Sequence, residues 1–371
     1  MKKRKTFYFF IGTVAELIKL SAVLKRFRDN KISFKIITSG QNDINFEELE
    51  PIIGRYKADV SFNPKPKESS PFKFALWALK AIPTSIINLK KEFKNIKAEN
   101  TLFIVHGDTV SALIGAIVAK FYRLKLIHIE AGYRSFNFFE PFPEEITRVL
   151  ISYLADIHFC PDDWSLNNIK NHAGIKISTG ENTLYETCMN ALKKRVNSKI
   201  VKEITKYKYF LLILHRQEHV LYKRNLTKKY IKLLTSFAKP EIKCVFVLHQ
   251  LTENFLKEQN LYKDIHSNAN IITAPRLPYL IFLKIMSKAE FIATDGGSNQ
   301  DEAYFLGMPC LLLREYTEQV EGLGANAVLA KDDLSLVKRF LETYKSKRRK
   351  TVSCKTPPSK VITDFLIKNI I

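Results

Sequence analysis

The sequence predicts an α/β fold: two Rossmann-like domains whose parallel sheets face a central cleft. Three observations predict it. Short apolar, β-rich runs alternate with longer helical patterns, as strands of parallel sheets alternate with the helices that cover them. The runs fall into two sets, parted by a helix-like and a lysine-rich stretch around residues 171–206. The chain has 371 residues, enough for two domains that each bury a core of their own.

The first set of strands is read at 6–11, 34–38, 102–105, 125–129 and 157–160, the second at 209–214, 244–248, 271–273, 291–294 and 310–313. Several of these runs end in a short turn followed by Gly, Asp, His or Glu. Ligands of open parallel sheets sit beyond the carboxyl ends of the strands, so those polar residues are the ones to follow. The domains are placed at 1–178, carrying acid/base carboxylates, and 179–355, binding a nucleotide, with a hinge at 179–183. A terminal helix is assigned to 356–371, read most clearly at 360–369 after the Pro357–Pro358 pair. Residues 71–89, PFKFALWALKAIPTSIINL, read as a buried helix interrupted at Pro83. Their alternative reading is an interfacial patch, because lysines flank the apolar stretch.

Composition narrows the partners. There are 59 Lys+Arg against 37 Asp+Glu, a net charge of +22 that favours anionic ligands or an acidic surface. No arginine-rich block interleaved with aromatics is present, nor a zinc-finger or helix-turn-helix pattern, which argues against nucleic acid. The five cysteines (Cys160, Cys188, Cys244, Cys310, Cys354) are scattered and never form CxxC, so a reducing, cytoplasmic setting is expected, with no metal and no cofactor. The basic start MKKRKTFYFFIG has too short an apolar run for a signal peptide and reads as a first buried strand.

The chemistry-bearing residues cluster at strand ends. HGDT at 106–109 follows the third strand. IHIEAGYRS places Glu130 at the end of the next, 22 residues after Asp108. PFPEEITR then supplies Glu144, Glu145 and Arg148. Asp108 and Glu130 are expected on neighbouring strand tips with Glu144 opening a helix beside them, and converging carboxylates should raise at least one pKa. Glu145 reads as an ordinary charge in a helix's first turn. In the second half, LHRQE puts His215, Arg216 and Glu218 past a strand, where His next to Arg suits a phosphate oxygen or leaving group. His249 ends the following strand and reads as a capping or packing residue. ATDGGSNQDEAYFLG is the strongest single pattern: a strand ending at Asp295, two glycines, then a helix start that aims N–H groups at an anion. Gly296, Gly297 and Ser298 form that turn, Glu302 lies one turn on, and Phe282 is placed to stack on a base.

Together these segments resemble the UDP-N-acetylglucosamine 2-epimerase family, whose motifs GTRPExIK, HGDT, HxEAGxR, PEExxR, GHRRE, DSGGxQEE and ERPE have counterparts here in order between Gly12 and about Leu329, as GTVAELIK, HGDT, His128–Arg134, Pro143–Arg148, LHRQE, DGGSNQDE and EQVE. The resemblance implies a GT-B-like arrangement and a homodimer. It implies Asp108, Glu130 and Glu144 as acid/base carboxylates, with Arg148 and His215 assisting near the diphosphate. Lys19, Phe282, Gly296, Gly297, Ser298 and Glu302 would bind UDP, through phosphate, ribose and uracil contacts. The implied reaction inverts C2 of a UDP-N-acetylhexosamine by elimination and readdition of UDP, in bacterial surface polysaccharide precursor synthesis. The chain departs from the pattern at Val14-Ala15 and Gln319-Val320, each in place of Arg-Pro, and at Gln41-Asn42-Asp43, where an allosteric nucleotide-sugar site would have Gln-His-Arg. These losses keep a second reading open: a GT-B glycosyltransferase using a UDP-sugar donor for a capsule, lipopolysaccharide or lipid-linked acceptor, peripheral at an anionic membrane. A non-catalytic nucleotide-sugar binder is a third.

Overall fold

In both halves of the chain the strand order runs outward from the first strand to one edge, then jumps back beside it and runs to the other. The computed structural model describes residues 5–62, 71–94 and 96–371; residues 1–4 of the basic start and the side chains of Ile53, 71–75 and Glu218 lie outside this description. The chain divides into unit 1, Met1–Thr187 with Cys354–Ile371, and unit 2, Cys188–Ser353.

Unit 1 holds β1 (Thr6–Ile11), β2 (Ser33–Thr38), β3 (Val60–Ser61), β4 (Thr101–His106), β5 (Lys125–Ile129), β6 (Ile157–Cys160) and β7 (Ile175–Ser178). Their order is β3-β2-β1-β4-β5-β6-β7, every pair parallel. A parallel sheet covered on both faces must be apolar on both, so its central strands are continuous apolar runs rather than alternating ones. β1 (TFYFFI) is buried from Phe7 onward, and Phe7 and Phe9 pack edge-to-face on Phe27 of the helix α1 (Val14–Asp29). The other face is closed by α2 (Pro71–Phe93), α3 (Val110–Phe121) and α4 (Glu144–Leu154), which enclose Phe10, Phe103, Val105 and Leu126.

Two expectations for unit 1 change. The helix α2 runs through Pro83 without interruption. Pro83 is on the solvent side, where water can take up the backbone carbonyl it leaves unbonded, while Ala81, Ile82, Ile86, Leu89 and Phe93 stay packed on the sheet. The edge strands β3 and β7 are absent from the sequence reading. The C-terminal helix Pro358–Asn369 returns to α1, where Ser359 hydrogen-bonds both Glu186 and Arg26.

Unit 2 holds β8 (Tyr209–Leu214), β9 (Lys243–Leu248), β10 (Ile271–Pro275), β11 (Ile292–Thr294), β12 (Cys310–Leu312) and β13 (Ala327–Leu329), in the parallel order β10-β9-β8-β11-β12-β13. Phe210 and Phe291 stack at 4.6 Å in its core. Its relevant helices are α5 (Tyr279–Met286) and α6 (Gly297–Phe305). In each unit the strand order reverses between the first strand and the one that re-enters beside it, β1/β4 and β8/β11. Such a switch point leaves a crevice beyond the carboxyl ends.

Candidate active site

At the unit 1 switch point the turn after β1 carries Gly12. A Cβ there would stand 2.2 Å from the Ser111 side chain at the start of α3, so only glycine lets the two turns come this close. Thr13 caps α1 and forms a reciprocal capping box with Glu16, whose carboxylate also accepts the N–H groups of Gly12 and Thr13 and the hydroxyl of Thr109. Burial pushes the Glu16 carboxyl up to about 7, against the pull of those donors. One turn further, Lys19 Nζ lies 2.6 Å from Glu130 Oε2, both groups buried.

Glu130 follows β5 with a φ of +64°, a backbone region that non-glycine residues seldom occupy. Lys19 and the amide of Asn182 hold its carboxylate there, and His106 Nε2 stands 3.9 Å away. Asp108 stands in the turn after β4. His106 pairs with Ile129 across the sheet, so residues 108 and 130 leave adjacent strands at nearly the same level. Arg148 of α4 reaches Asp108 with one guanidinium nitrogen and Glu145 with another, the latter at 2.6 Å, and is itself 1% exposed. Glu144 opens α4 beside them, partly buried.

Glu145 is therefore not an ordinary helix-start charge. It is completely buried and accepts from Arg134 Nε, Ser135 N, Phe136 N and Arg148, anchoring the loop that precedes α4. His128, inside β5, donates from Nε2 to the carbonyl of Gly107 at 2.8 Å and steadies the turn that presents Asp108. Burial lowers its pKa to about 3, so it is neutral at physiological pH.

In unit 2 the switch-point residues are His215, Arg216 and Asp295. The buried Asp295 accepts the backbone N–H groups of His215 and Arg216 at 2.9–3.1 Å, and His215 Nδ1 stands 2.9 Å from its Oδ1. Burial opposes its charge, but His215 and these N–H groups win and hold it below the usual carboxylate range. His249 stacks on His215 at 5.2 Å and makes no side-chain cap, which leaves it a packing role. Gly296 and Gly297 begin α6 under close cover: a Cβ at Gly296 would meet His215 and one at Gly297 would meet Gln319, each at 2.8 Å. The first N–H groups of a helix are natural anion donors, and Gly297 and Ser298 supply them here. Glu302 is 2% exposed, bonded by Asn299 at 3.0 Å and approached by Tyr279 of α5; Phe282, one turn along α5, is partly buried.

Gln319, which takes the place of an arginine, packs over Gly297 and bonds Asp301 at 3.1 Å, while Gln300 fastens the same loop through the carbonyls of Gln319 and Glu321. Gln41 turns inward to accept the N–H of Ser111 at the start of α3. Among the described residues no group of three His, Cys, Asp or Glu side chains is arranged to hold a metal ion. Sequence reasoning left out Glu16, His128, Asn182 and the pairing of His215 with Asp295. Glu16 and His128 stood inside quoted motifs, but Asn182 carried no signal.

Each unit is a doubly wound α/β sheet, the first with cation-paired carboxylates at its strand ends and the second with a glycine-opened helix start at its own. The chain belongs to the UDP-N-acetylglucosamine 2-epimerase family, whose model matches residues 28–358. It is 30% identical to the UDP-N-acetylglucosamine 2-epimerase of Methanocaldococcus jannaschii over 91% of this chain and 92% of that one. With the enzyme of the same name from Neisseria meningitidis it shares 30% identity over 96% and 98% of the two chains. Among solved structures it is similar to the M. jannaschii enzyme in complex with UDP-GlcNAc and UDP (TM-score 0.85, 26% identity, 98% of this chain and 100% of that one). The N. meningitidis enzyme bound to UDP-GlcNAc aligns with a TM-score of 0.80 at 27% identity, over 98% and 100% of the two chains.

Proposed function

We propose that the chain inverts C2 of a UDP-N-acetylhexosamine, with UDP-N-acetylglucosamine as the first substrate to test. Unit 1 does the proton chemistry and unit 2 holds UDP. A carboxylate of the Asp108, Glu130 and Glu144 set takes the proton from C2. The C1–oxygen bond to UDP breaks, and the electron pair of the C2–H bond becomes the C1–C2 double bond of a glycal. Return of UDP oxygen to C1, with a proton delivered to the other face of C2, gives the epimer. Atoms and charge balance without a cofactor.

The observation that carries this reading is the locking of two strand-end carboxylates by buried cations, Asp108 by Arg148 and Glu130 by Lys19. A carboxylate held by a fixed, buried cation is pointed one way until substrate competes for it. Arg148 then serves as a positioning residue acting through Asp108. His215, Gly297 and Ser298 offset the charge that grows on departing UDP, Glu302 grips the ribose and Phe282 stacks on uracil. Proton NMR of UDP-N-acetylglucosamine with the protein in deuterated water tests this. Deuterium at C2 and a second sugar diphosphate are expected; no exchange, no epimer and no free UDP would overturn it.

A membrane contact is proposed for α2. Leu79 and Ile87 are 69% and 68% exposed, and Lys80, Lys90, Lys91 and Lys94 are exposed with them, a combination that suits the surface of an anionic bilayer. Among the described residues no helix is long and apolar enough to cross a membrane. Flotation with vesicles containing phosphatidylserine tests the contact: protein that stays at the bottom refutes it.

A further inference from the structure

Unit 1 has a recess at the end of its sheet opposite to Asp108 and Glu130. A hollow of about 670 Å³ opens beneath the amino ends of the strands, lined by Lys5, Thr101, Lys120, Arg123, Lys125 and Asp156 among others. Lys5 leads into β1, Thr101 and Lys125 are the first residues of β4 and β5, and Asp156 directly precedes β6. Asp108 and Glu130 leave the carboxyl ends of β4 and β5, so the recess and these carboxylates lie at opposite ends of the same strands.

The charges in the hollow are unevenly satisfied. Lys120 is paired with Asp156 at 2.7 Å, and the same carboxylate oxygen accepts the N–H of Leu126. Lys5 Nζ rests on the carbonyl of Glu99 at 2.6 Å. Arg123 and Lys125 make no ion pair among the described residues. An adjoining hollow of about 470 Å³ shares Lys5 and Glu99 and adds Lys368, which is likewise without a carboxylate partner among the described residues.

Arg123 also occupies a conformation meant for another residue. It follows the last turn of α3 with a φ of +55°, and Leu124 N bonds back to the carbonyl of Ala119. This is the helix-ending turn in which glycine is the preferred residue. The sequence instead sets a guanidinium there, lining the recess with a planar fork of donors that matches phosphate oxygens.

We infer that this recess binds a small molecule carrying two linked phosphates. Four cations without carboxylate partners among the described residues, Lys5, Arg123, Lys125 and Lys368, line two adjoining hollows, which suits a diphosphate and exceeds what a single phosphate needs. The inference does not depend on the reaction proposed above.

The backbone of Arg123 supplies a clean test, because Arg123→Gly removes the cation and suits the turn. Inorganic pyrophosphate is titrated calorimetrically into the full chain saturated with UDP, and into the Arg123→Gly/Lys125→Ala variant under the same conditions. Pyrophosphate is expected to bind the wild type with UDP present, to bind the variant at least tenfold more weakly, and to weaken in both as salt is raised. UDP affinity and melting temperature should be the same in both proteins. Absence of pyrophosphate binding in the UDP-saturated wild type, or equal binding by the variant, overturns the inference. Orthophosphate binding as tightly as pyrophosphate overturns the assignment to a diphosphate.

Discussion

Replacing Glu145 by Gln takes one charge out of the interior of unit 1 and leaves the shape almost unchanged. The carboxylate accepts from two guanidinium groups and two backbone N–H groups at 2.5–3.2 Å. An amide has one accepting oxygen, and its NH2 would face donors. Removing one partner of a buried ion pair costs about 3–5 kcal/mol. For a unit of this size each kcal/mol moves the midpoint by roughly 2–4 °C, so a fall of about 6–20 °C is expected in calorimetric unfolding. Arg148 loses its second anchor, Asp108 loses its fixed bearing, and C2 deuterium exchange should fall with it. The pH dependence gives an independent check. Burial works to raise the Glu145 pKa, but Arg134, Ser135 and Arg148 outweigh it and hold the carboxyl below its ordinary 4.5. A group lowered in the folded state stabilises above its unfolded pKa and loses that increment as pH falls, so the wild type should weaken below about pH 4.5 by more than Glu145→Gln does. A midpoint change under about 2 °C, less than 1 kcal/mol in effect, together with unchanged exchange kinetics, would refute the reasoning.

Glu16→Gln tests a group of opposite sign. Its folded pKa of about 7 lies above the ordinary 4.5, so its contribution is complete below pH 4.5 and is lost as pH rises toward 7. The variant's midpoint should be flatter than the wild type's across that window, by up to about 3 kcal/mol at 1.36 kcal/mol per unit; parallel curves would contradict the shift. Asp295→Asn should leave His215 and the N–H groups beneath it poorly satisfied, at about 1–3 kcal/mol, which is roughly tenfold to hundredfold in kcat/KM. UDP binding by calorimetry should weaken in the same variant. His128→Ala frees the Gly107 carbonyl and should lower kcat about tenfold, on the order of 1.4 kcal/mol, with the KM for UDP-sugar unchanged; a rise in KM alone would assign His128 to binding instead.

Much of the fold was legible because buried parallel strands are continuous apolar runs. β1, β5, β6 and β8 are read from the sequence with the same bounds they have in the structure. β3, of two residues, is too short to form a pattern, and β13, of three, is an edge strand whose residues are only partly buried beyond Ala327. β7 lies at an edge, where its residues IKIS are partly exposed and carry no apolar run. Pro83 reads as a helix break because local sequence shows the lost hydrogen bond and not the packing on either side of it. The strand-end position of Asp108, Glu130 and His215 follows from the same patterning. What sequence could not show is which groups lock them. Glu145 looks like a helix-start charge until residues 134–136 fold back over it, and Glu16 meets Thr109 from 93 residues away.

The return of the helix Pro358–Asn369 to α1 sets an order on synthesis. Unit 1 is built from segments on both sides of unit 2, so the ribosome finishes all of unit 2 before the helix Pro358–Asn369 emerges. Until then the flank of α1 that meets this helix is uncovered, and Arg26 and Glu186 wait for Ser359. A chain truncated near residue 353 would lack the helix that covers α1 and the Ser359 bonds to Arg26 and Glu186.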